Sequence, residues 1–137
     1  GLDLSSDMLG IARRRLGHTV TLWDQAYDRP LSDQTAGSGF DLIVTSYALS
    51  MFNPGWQQAI DTLCHDLRPG GYLALVDFHD TPFSWFREWM NLNHVRMDGH
   101  LINRLQSRLT CHWHESRSTY GGLWRYNMLI ASKPLDC

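Results

Sequence analysis

The sequence predicts an α/β domain with a mostly parallel sheet, helices on both faces and a C-terminal antiparallel hairpin. Two observations support this prediction. Along residues 1–80, apolar runs of strand length alternate with segments of helical periodicity. Two further apolar segments, 109–115 and 122–132, flank a short turn that contains glycines. Alternating strands and helices favour parallel strands with right-handed crossovers, and two strands joined by a short turn favour an antiparallel pair.

The first helix is predicted over residues 6–16, directly after a short strand that ends at Asp3. Ser5 is suited to cap this helix, and Gly17 is suited to end it. Arginines 13–15 follow one side, and an apolar face occupies the other. That face comprises Met8, Leu9, Ile11, Ala12 and Leu16. The segment is therefore interpreted as a β–α unit.

Three more strands are predicted before residue 80. Residues 18–24 form a short strand, and a loop rich in turn residues covers 28–39. Residues 40–49 are a near-continuous apolar run, which is typical of a parallel strand buried on both faces. The third strand, 72–78, follows a sharp turn at 68–71.

Three more helices are predicted. Asn53 and Pro54 have the cap and first-turn chemistry of a helix start, and apolar residues continue at helical spacing as far as Leu67. An aromatic helix is predicted over 82–90, and a short helix over 99–109.

Composition narrows the function classes. The chain has 137 residues, which suits a single domain, and its net charge of −2 offers no footprint for nucleic acid. No apolar run reaches the ~18–20 residues that span a bilayer. Cys64, Cys111 and Cys137 form no paired motif and are interpreted as free thiols of a reducing, cytoplasmic compartment. His112 and His114 share one face of a predicted strand but lack further ligands, so no metal site is predicted.

Acidic residues end three of the predicted strands, at Asp3, Asp24 and Asp77. In parallel sheets ligands bind beyond the carboxyl ends of the strands. Asp3 at such an end can accept two hydrogen bonds from a ribose diol, or it can interact with the amides of the next helix. Asp24, 21 residues later, can accept from an adenine amino group. The pair is a stronger indication of a nucleotide site than either acid alone.

Three motifs, in this order, resemble class I S-adenosylmethionine-dependent methyltransferases. D-L-S-x-x-M-L-x-x-A at 3–12 resembles their second strand and following helix. F-D-L-I-V at 40–44 is similar to their fourth strand, and L-R-P-G-G-x-L at 67–73 resembles the turn into their fifth. The resemblance covers residues 1–80 and implies a Rossmann-like fold with S-adenosyl-L-methionine as cofactor.

The resemblance also implies roles for residues near the strand ends. Asp3 would hold the ribose hydroxyls, with Leu4 packing near the adenine and Met8 nearby on the helix. Asp24 and Gln25 would lie at the adenine edge.

Residues after the fourth and fifth strands of the family are expected near the reacting methyl group. Ser46, Tyr47 and Ala48 would line the floor of that site. Tyr47 and His79 are candidate catalytic bases by position, while the alternative for His79 is a loop residue that binds nothing.

The glycine-rich loop of the family follows its first strand, and no segment here corresponds to either. In the family that strand lies between the second and the fourth, so a gap is expected at the centre of this sheet. We therefore expect residues 1–137 to be a partial domain, incomplete at its N-terminus and part of a longer enzyme. On its own the chain is expected to bind cofactor weakly or not at all, and to be inactive.

The expected reaction is methyl transfer to a small molecule or a lipid head group. Residues 46–51 with Trp56 resemble a branch that methylates lipid head groups and is akin to quinone methyltransferases. Residues 83–101 are expected to set specificity, with aromatics forming either an apolar wall or a core-facing stripe. Arg96 pairs either with an anionic substrate or with Asp98.

Two other functions stay open at this point. One is a non-catalytic methyltransferase-like fragment or interaction domain. The other is a nicotinamide-dependent dehydrogenase, which also uses an acid after its second strand. The sequence does not predict an oligomeric state.

Overall fold

The computed structural model describes residues 1–35, 37 and 39–135. Cys137, which is predicted to be a free thiol, and two positions of the predicted 28–39 loop lie outside the described residues. The described residues form six strands and four α-helices. In chain order they are β1 (Leu2–Asp3), α1 (Ser6–Leu16), β2 (Trp23–Asp24), β3 (Phe40–Ser46), α2 (Trp56–Asp66), β4 (Leu67–Asp80), α3 (Ser84–Leu92), α4 (His100–Gln106), β5 (Thr110–Thr119) and β6 (Trp124–Ser132).

The described strands form two separate sheets. β1 and β2 make a parallel pair, and the other strands make a sheet with the order β3-β4-β6-β5. β3 and β4 are parallel, whereas β6 is antiparallel to both β4 and β5. A cavity of about 430 Å³ lies between the sheets and is lined by residues of both β1 and β3. The predicted α/β class and closing hairpin are confirmed, and the sheet is divided where a gap is expected.

The prediction that the 40–49 run is buried on both faces is wrong. Leu42 is 55% exposed and Val44 is 68% exposed. Both lie on β3, which is an edge strand of its sheet, and both line the cavity beside β1. The apolar run therefore marks an edge strand, which among the described strands pairs only with β4.

Helix α1 has the predicted bounds. The Met8 amide donates to Ser5 Oγ at 3.3 Å, so the predicted cap is present, and Gly17 follows with a φ of 63°. The predicted apolar face is mostly open, however, and only Leu9 of this helix is buried. The reason is that β1 and β2, with two residues each, offer too little surface to cover the helix.

Two other predicted boundaries are wrong. The strand predicted over 18–24 is reduced to Trp23–Asp24, because the neighbouring β1 is itself only two residues long. Helix α2 begins at Trp56 instead of following an Asn53 cap. Gly55 occupies the cap position with a φ of 116°, and its carbonyl accepts from the Ala59 amide at 3.0 Å.

The predicted turn at 68–71 lies within β4. Phe40 pairs with Leu67, and Leu42 pairs with Tyr72, so the residues between Leu67 and Tyr72 bulge out of the ladder. A Cβ on Gly71 would stand 2.7 Å from the Phe40 carbonyl oxygen, so the strand can approach β3 this closely only with glycine there.

Two hydrophobic clusters hold the larger sheet. The main cluster joins α2 and α4 to β4 and β6, and its most buried members include Ile60, Leu63, Leu73, Leu105 and Leu129. A second cluster links α3 to the segment that follows it through Phe86, Met90, Val95 and Met97. None of the helices in the described part of the chain has the length and apolarity needed to cross a bilayer.

Two buried carboxylates connect loops to this framework. Asp66 accepts from Tyr27 Oη at 2.8 Å and from the amides of Leu31 at 3.0 Å and Ser32 at 2.8 Å. Asp77 is fully buried and accepts from the Leu49 amide at 2.8 Å and the Ser50 hydroxyl at 2.5 Å. Because a buried carboxylate is costly unless it is satisfied, these bonds fix the loops in place.

We expect Asp77→Ala to lower the free energy of unfolding by about 2–4 kcal/mol, because buried donors at Leu49 and Ser50 lose their acceptor. Asp77→Asn keeps one carbonyl acceptor and is expected to lose less than half as much. Urea unfolding followed by circular dichroism measures both. Equal losses for the two variants would contradict this role.

Candidate active site

The two acids that end β1 and β2 lie side by side. Asp3 pairs in register with Asp24, so both carboxylates stand at the same end of two adjacent parallel strands. Both residues are exposed. Asp3 Oδ1 accepts from the Ser5 amide at 2.8 Å. The carboxylate therefore makes the local interaction predicted as an alternative, while a second oxygen is left for a ligand.

Gln25 follows Asp24 and contributes an unpaired donor. Its Nε2 is buried and has no hydrogen-bond partner among the described residues. A buried amide nitrogen without an acceptor costs about 1–3 kcal/mol. A ligand with an acceptor atom, such as a ring nitrogen, would remove that cost.

The apolar candidates stand on the same β–α unit. Leu4 and Met8 are both exposed, so their side chains are available to cover a flat aromatic ligand. The structure thus brings Asp3, Asp24 and Gln25 to one strand end, with Leu4 and Met8 open to solvent on the segment that follows β1.

The end of β3 faces this group across the cavity. Ser46 and Asp3 both line the cavity between the sheets. Tyr47 follows with a φ of 50°, and its amide donates to the Val76 carbonyl at 2.8 Å. A tyrosine in the left-handed region is uncommon, and this conformation turns the chain away from the strand just beyond Ser46.

The Tyr47 side chain packs against the end of β4. Its ring centroid lies 4.8 Å from that of Phe78. Burial raises the pKa of Tyr47, and the nearby Tyr126 and Asp77 add to this. At neutral pH the hydroxyl therefore stays protonated, so it is suited to donate a hydrogen bond and poorly suited to act as a base.

His79 has different surroundings. Its ring packs against the Gly99 backbone, and its Nδ1 is buried without a partner among the described residues. Burial lowers the pKa of His79, although Asp80 opposes this. The imidazole is therefore neutral at neutral pH and has one nitrogen able to accept a proton.

The segment expected to set specificity combines both predicted alternatives. In α3, Phe86 and Met90 are buried in the second cluster, while Trp85 is 61% exposed and Trp89 is 55% exposed. One side of the helix is thus a core stripe, and the other is an open aromatic surface. Arg96 Nε donates to Asp98 Oδ2 at 2.7 Å, which confirms the pairing of these two residues.

The sequence predicts Asp77 only as a strand-end acid and predicts no site role for Asn53 or Arg87. The structure buries Asp77 within β4 and places Asn53 and Arg87 at a polar cavity of about 330 Å³. Asp77 has a visible signal, since an acid inside the apolar run 72–78 requires buried donors. Arg87 has no such signal, because an arginine in an aromatic helix has the pattern of an ordinary surface residue.

One known protein is similar to this chain in sequence. No protein-family model matches the chain. An uncharacterized methyltransferase of Synechocystis sp. is 37% identical over 86 residues, which are 62% of this chain and 38% of that protein.

Solved structures resemble almost the whole chain. The N-methyltransferase NodS from Bradyrhizobium japonicum, in complex with S-adenosyl-L-homocysteine, has a TM-score of 0.76 at 20% identity, covering 97% of this chain and 65% of NodS. The [4+2]-cyclase SpnF has a TM-score of 0.76 at 18% identity, covering 98% and 66%. A SAM-dependent methyltransferase from Methanosarcina mazei has a TM-score of 0.67 at 18% identity, covering 98% and 81%.

The chain thus has the Rossmann-like fold of class I S-adenosylmethionine-dependent methyltransferases. It spans about two thirds of the length of NodS and of SpnF, and its match to the Synechocystis protein spans about two fifths of that relative. The residues at the β1 and β2 ends fit an adenosine group, since Asp3 has an open carboxylate oxygen and Gln25 has an unpaired donor.

We expect Gly99→Ala to lower the free energy of unfolding by about 1–3 kcal/mol more than Gly121→Ala. Both glycines are in the left-handed region, with φ 72° and ψ 10° at Gly99 and φ 65° and ψ 23° at Gly121, so both variants share the backbone cost of a Cβ there. At Gly99 the Cβ would come within 2.7 Å of His79 Cε1, whereas nothing lies within 4 Å at Gly121.

Chemical denaturation of the two variants measures this difference. In a His79→Ala background the excess cost at Gly99 should disappear, because the atom that the Cβ meets is removed. An excess that persists in that background would mean that the ring of His79 does not pack on Gly99.

Proposed function

We propose that this protein transfers the methyl group of S-adenosyl-L-methionine to a small molecule or a lipid head group. The observation that carries the proposal is the arrangement at the ends of β1 and β2. There two carboxylates in register stand beside the unpaired amide of Gln25. The fold shared with NodS, whose structure holds S-adenosyl-L-homocysteine, supports the same conclusion.

Five residues at the ends of β1 and β2 would hold the cofactor. The free oxygen of Asp3 would accept from the ribose hydroxyls, while Asp24 would offer an acceptor and Gln25 a donor to the adenine edge. Leu4 and Met8 would pack against the adenine. The bound cofactor would supply a methyl group on a sulfonium, which is already a good leaving group.

The protein's remaining task is to orient the acceptor, exclude water and remove a proton where the acceptor carries one. In this proposal the neutral imidazole of His79 accepts that proton. The protonated hydroxyl of Tyr47 donates a hydrogen bond to the acceptor, and Ser46 lines the floor beneath it. The lowered pKa of His79 and the raised pKa of Tyr47 support this division.

We also propose that the chain works as part of a longer enzyme. The cavity between β1 and β3 is bordered by exposed apolar side chains, and β3 has a free edge. A further strand placed there would join the two sheets and satisfy the backbone groups of both edges. No strand among the described residues occupies this position, and for that reason we expect weak cofactor binding by this chain alone.

A non-catalytic role is the second candidate. The division of the sheet favours it, because the cavity separates the Asp3 side of the site from the Ser46 side. SpnF, a [4+2]-cyclase, has a similar structure, and a shared fold does not by itself fix the reaction. Cofactor binding by the full-length protein separates the two candidates.

In the full-length protein, Asp3→Ala is expected to weaken S-adenosyl-L-homocysteine binding about 10- to 100-fold, because hydrogen bonds to a charged acceptor are lost. Asp7→Ala is the matched control, since it removes another exposed acid, in the first turn of α1. Isothermal titration calorimetry measures both affinities. Unchanged binding in Asp3→Ala, or equal weakening in Asp7→Ala, would refute the assignment.

A further inference from the structure

A second cavity, of about 330 Å³, is lined almost entirely by polar and charged side chains. Two guanidinium groups and two amides contribute hydrogen-bond donors to it, and one carboxylate and one thioether complete the lining. The residues are Asn53, Arg87, Asn91, Arg96, Met97 and Asp98.

The cavity lies at the same end of the sheet as the candidate active site. The Arg96 amide donates to the Ser50 carbonyl at 2.9 Å, and Ser50 follows the end of β3. Arg87 Nη2 donates to the Thr81 carbonyl at 2.5 Å, and Thr81 directly follows β4. Both arginines are thus attached to the two segments that also carry Tyr47 and His79.

The one carboxylate of this cavity is already neutralised. Asp98 accepts from Arg96 Nε at 2.7 Å and is also in contact with His100 Nδ1. The Arg96 guanidinium in turn lies 5.6 Å from the centroid of the Trp56 ring. The charges of Arg96 and Asp98 therefore cancel, and no carboxylate of this cavity remains to pair with Arg87.

Arg87 forms no salt bridge with any of the described residues. It is half-buried, and no carboxylate among the described residues lies within ion-pairing distance of it. Its Nε is buried and has no hydrogen-bond partner in the described part of the chain. The Arg87 charge contributes to lowering the pKa of Asp80, but that carboxylate is hydrogen-bonded to Arg125 and makes no salt bridge with Arg87. The cavity thus has an excess of one positive charge.

We propose that this cavity binds an oxyanion, the carboxylate or phosphate group of the methyl acceptor, with Arg87 as its main partner. The planar fork of a guanidinium matches two oxygens of either group, and the amides of Asn53 and Asn91 provide further donors. An anion would pair the charge and the buried Nε that the protein leaves without partners. This inference rests on the proposed function and makes the acceptor an acidic molecule.

Nuclear magnetic resonance of the full-length protein can test the site without any methyl transfer. The Nε–H signal of Arg87 is followed while inorganic phosphate, and separately acetate, is added at an ionic strength held constant with sodium chloride. The signal is expected to shift in a saturable manner with one of the two anions, and the more tightly bound anion identifies the group. No shift with either anion would overturn the proposal.

A charge placed in the cavity provides the control. Asn91→Asp is expected to weaken anion binding at least about 10-fold by repulsion at close range. Asn103→Asp adds the same charge on the exposed side of α4, outside the cavity, and should leave binding unchanged. Equal weakening by both variants would mean general electrostatics and would refute a site.

The same samples separate this inference from the proposed function. Calorimetry with S-adenosyl-L-homocysteine is expected to give the same affinity in Asn91→Asp as in the wild type. Anion binding at Arg87 without cofactor binding would leave the site standing and remove the methyl-transfer proposal. Cofactor binding without anion binding would refute the anion site and leave the methyl-transfer proposal standing.

Discussion

The buried carboxylate of Asp77 is the interaction on which the candidate site depends. It lies near the end of β4 and accepts from the amides and the hydroxyl of the segment that follows β3. Burial raises the pKa of this carboxyl group, and the hydrogen bonds it accepts oppose that shift. The carbonyl of Ser50 then accepts from the Arg96 amide. One buried charge thereby positions both the turn at Tyr47 and the wall of the polar cavity.

Asp66 plays the corresponding part elsewhere in the molecule. Its carboxylate at the end of α2 holds the loop around Tyr27, Leu31 and Ser32, which leads from the small sheet to β3. The Tyr27 hydroxyl donates to this acid, and burial raises the pKa of Tyr27. The small sheet is thus connected to the core by hydrogen bonds to a loop, whereas the larger sheet is held by two apolar clusters.

The sequence predicts an element correctly where its bounds depend on residues that are close in the chain. The bounds and cap of α1, and the strand ends at Asp3 and Asp24, follow from spacing and cap chemistry. Burial is a property of distant neighbours, so the exposure of Val44 could not be read from an apolar run. Helix α2 begins later than the predicted start at Asn53, because Gly55 takes the cap position with a left-handed backbone conformation. Arg87 could not be identified from the sequence, because the lack of a salt-bridge partner is a property of the folded structure.

The open edge of β3 also bears on how the chain behaves in solution. Residues 42–45 read Leu-Ile-Val-Thr, a stretch with high β-propensity, no proline and no charge. The adjacent Asp41 is the nearest repelling charge along the strand, and it is paired with Arg68. Charged residues beside an exposed strand edge oppose intermolecular strand pairing, and pairing with Arg68 weakens this effect of Asp41. A segment that covers this edge would therefore remove a surface available for intermolecular strand pairing.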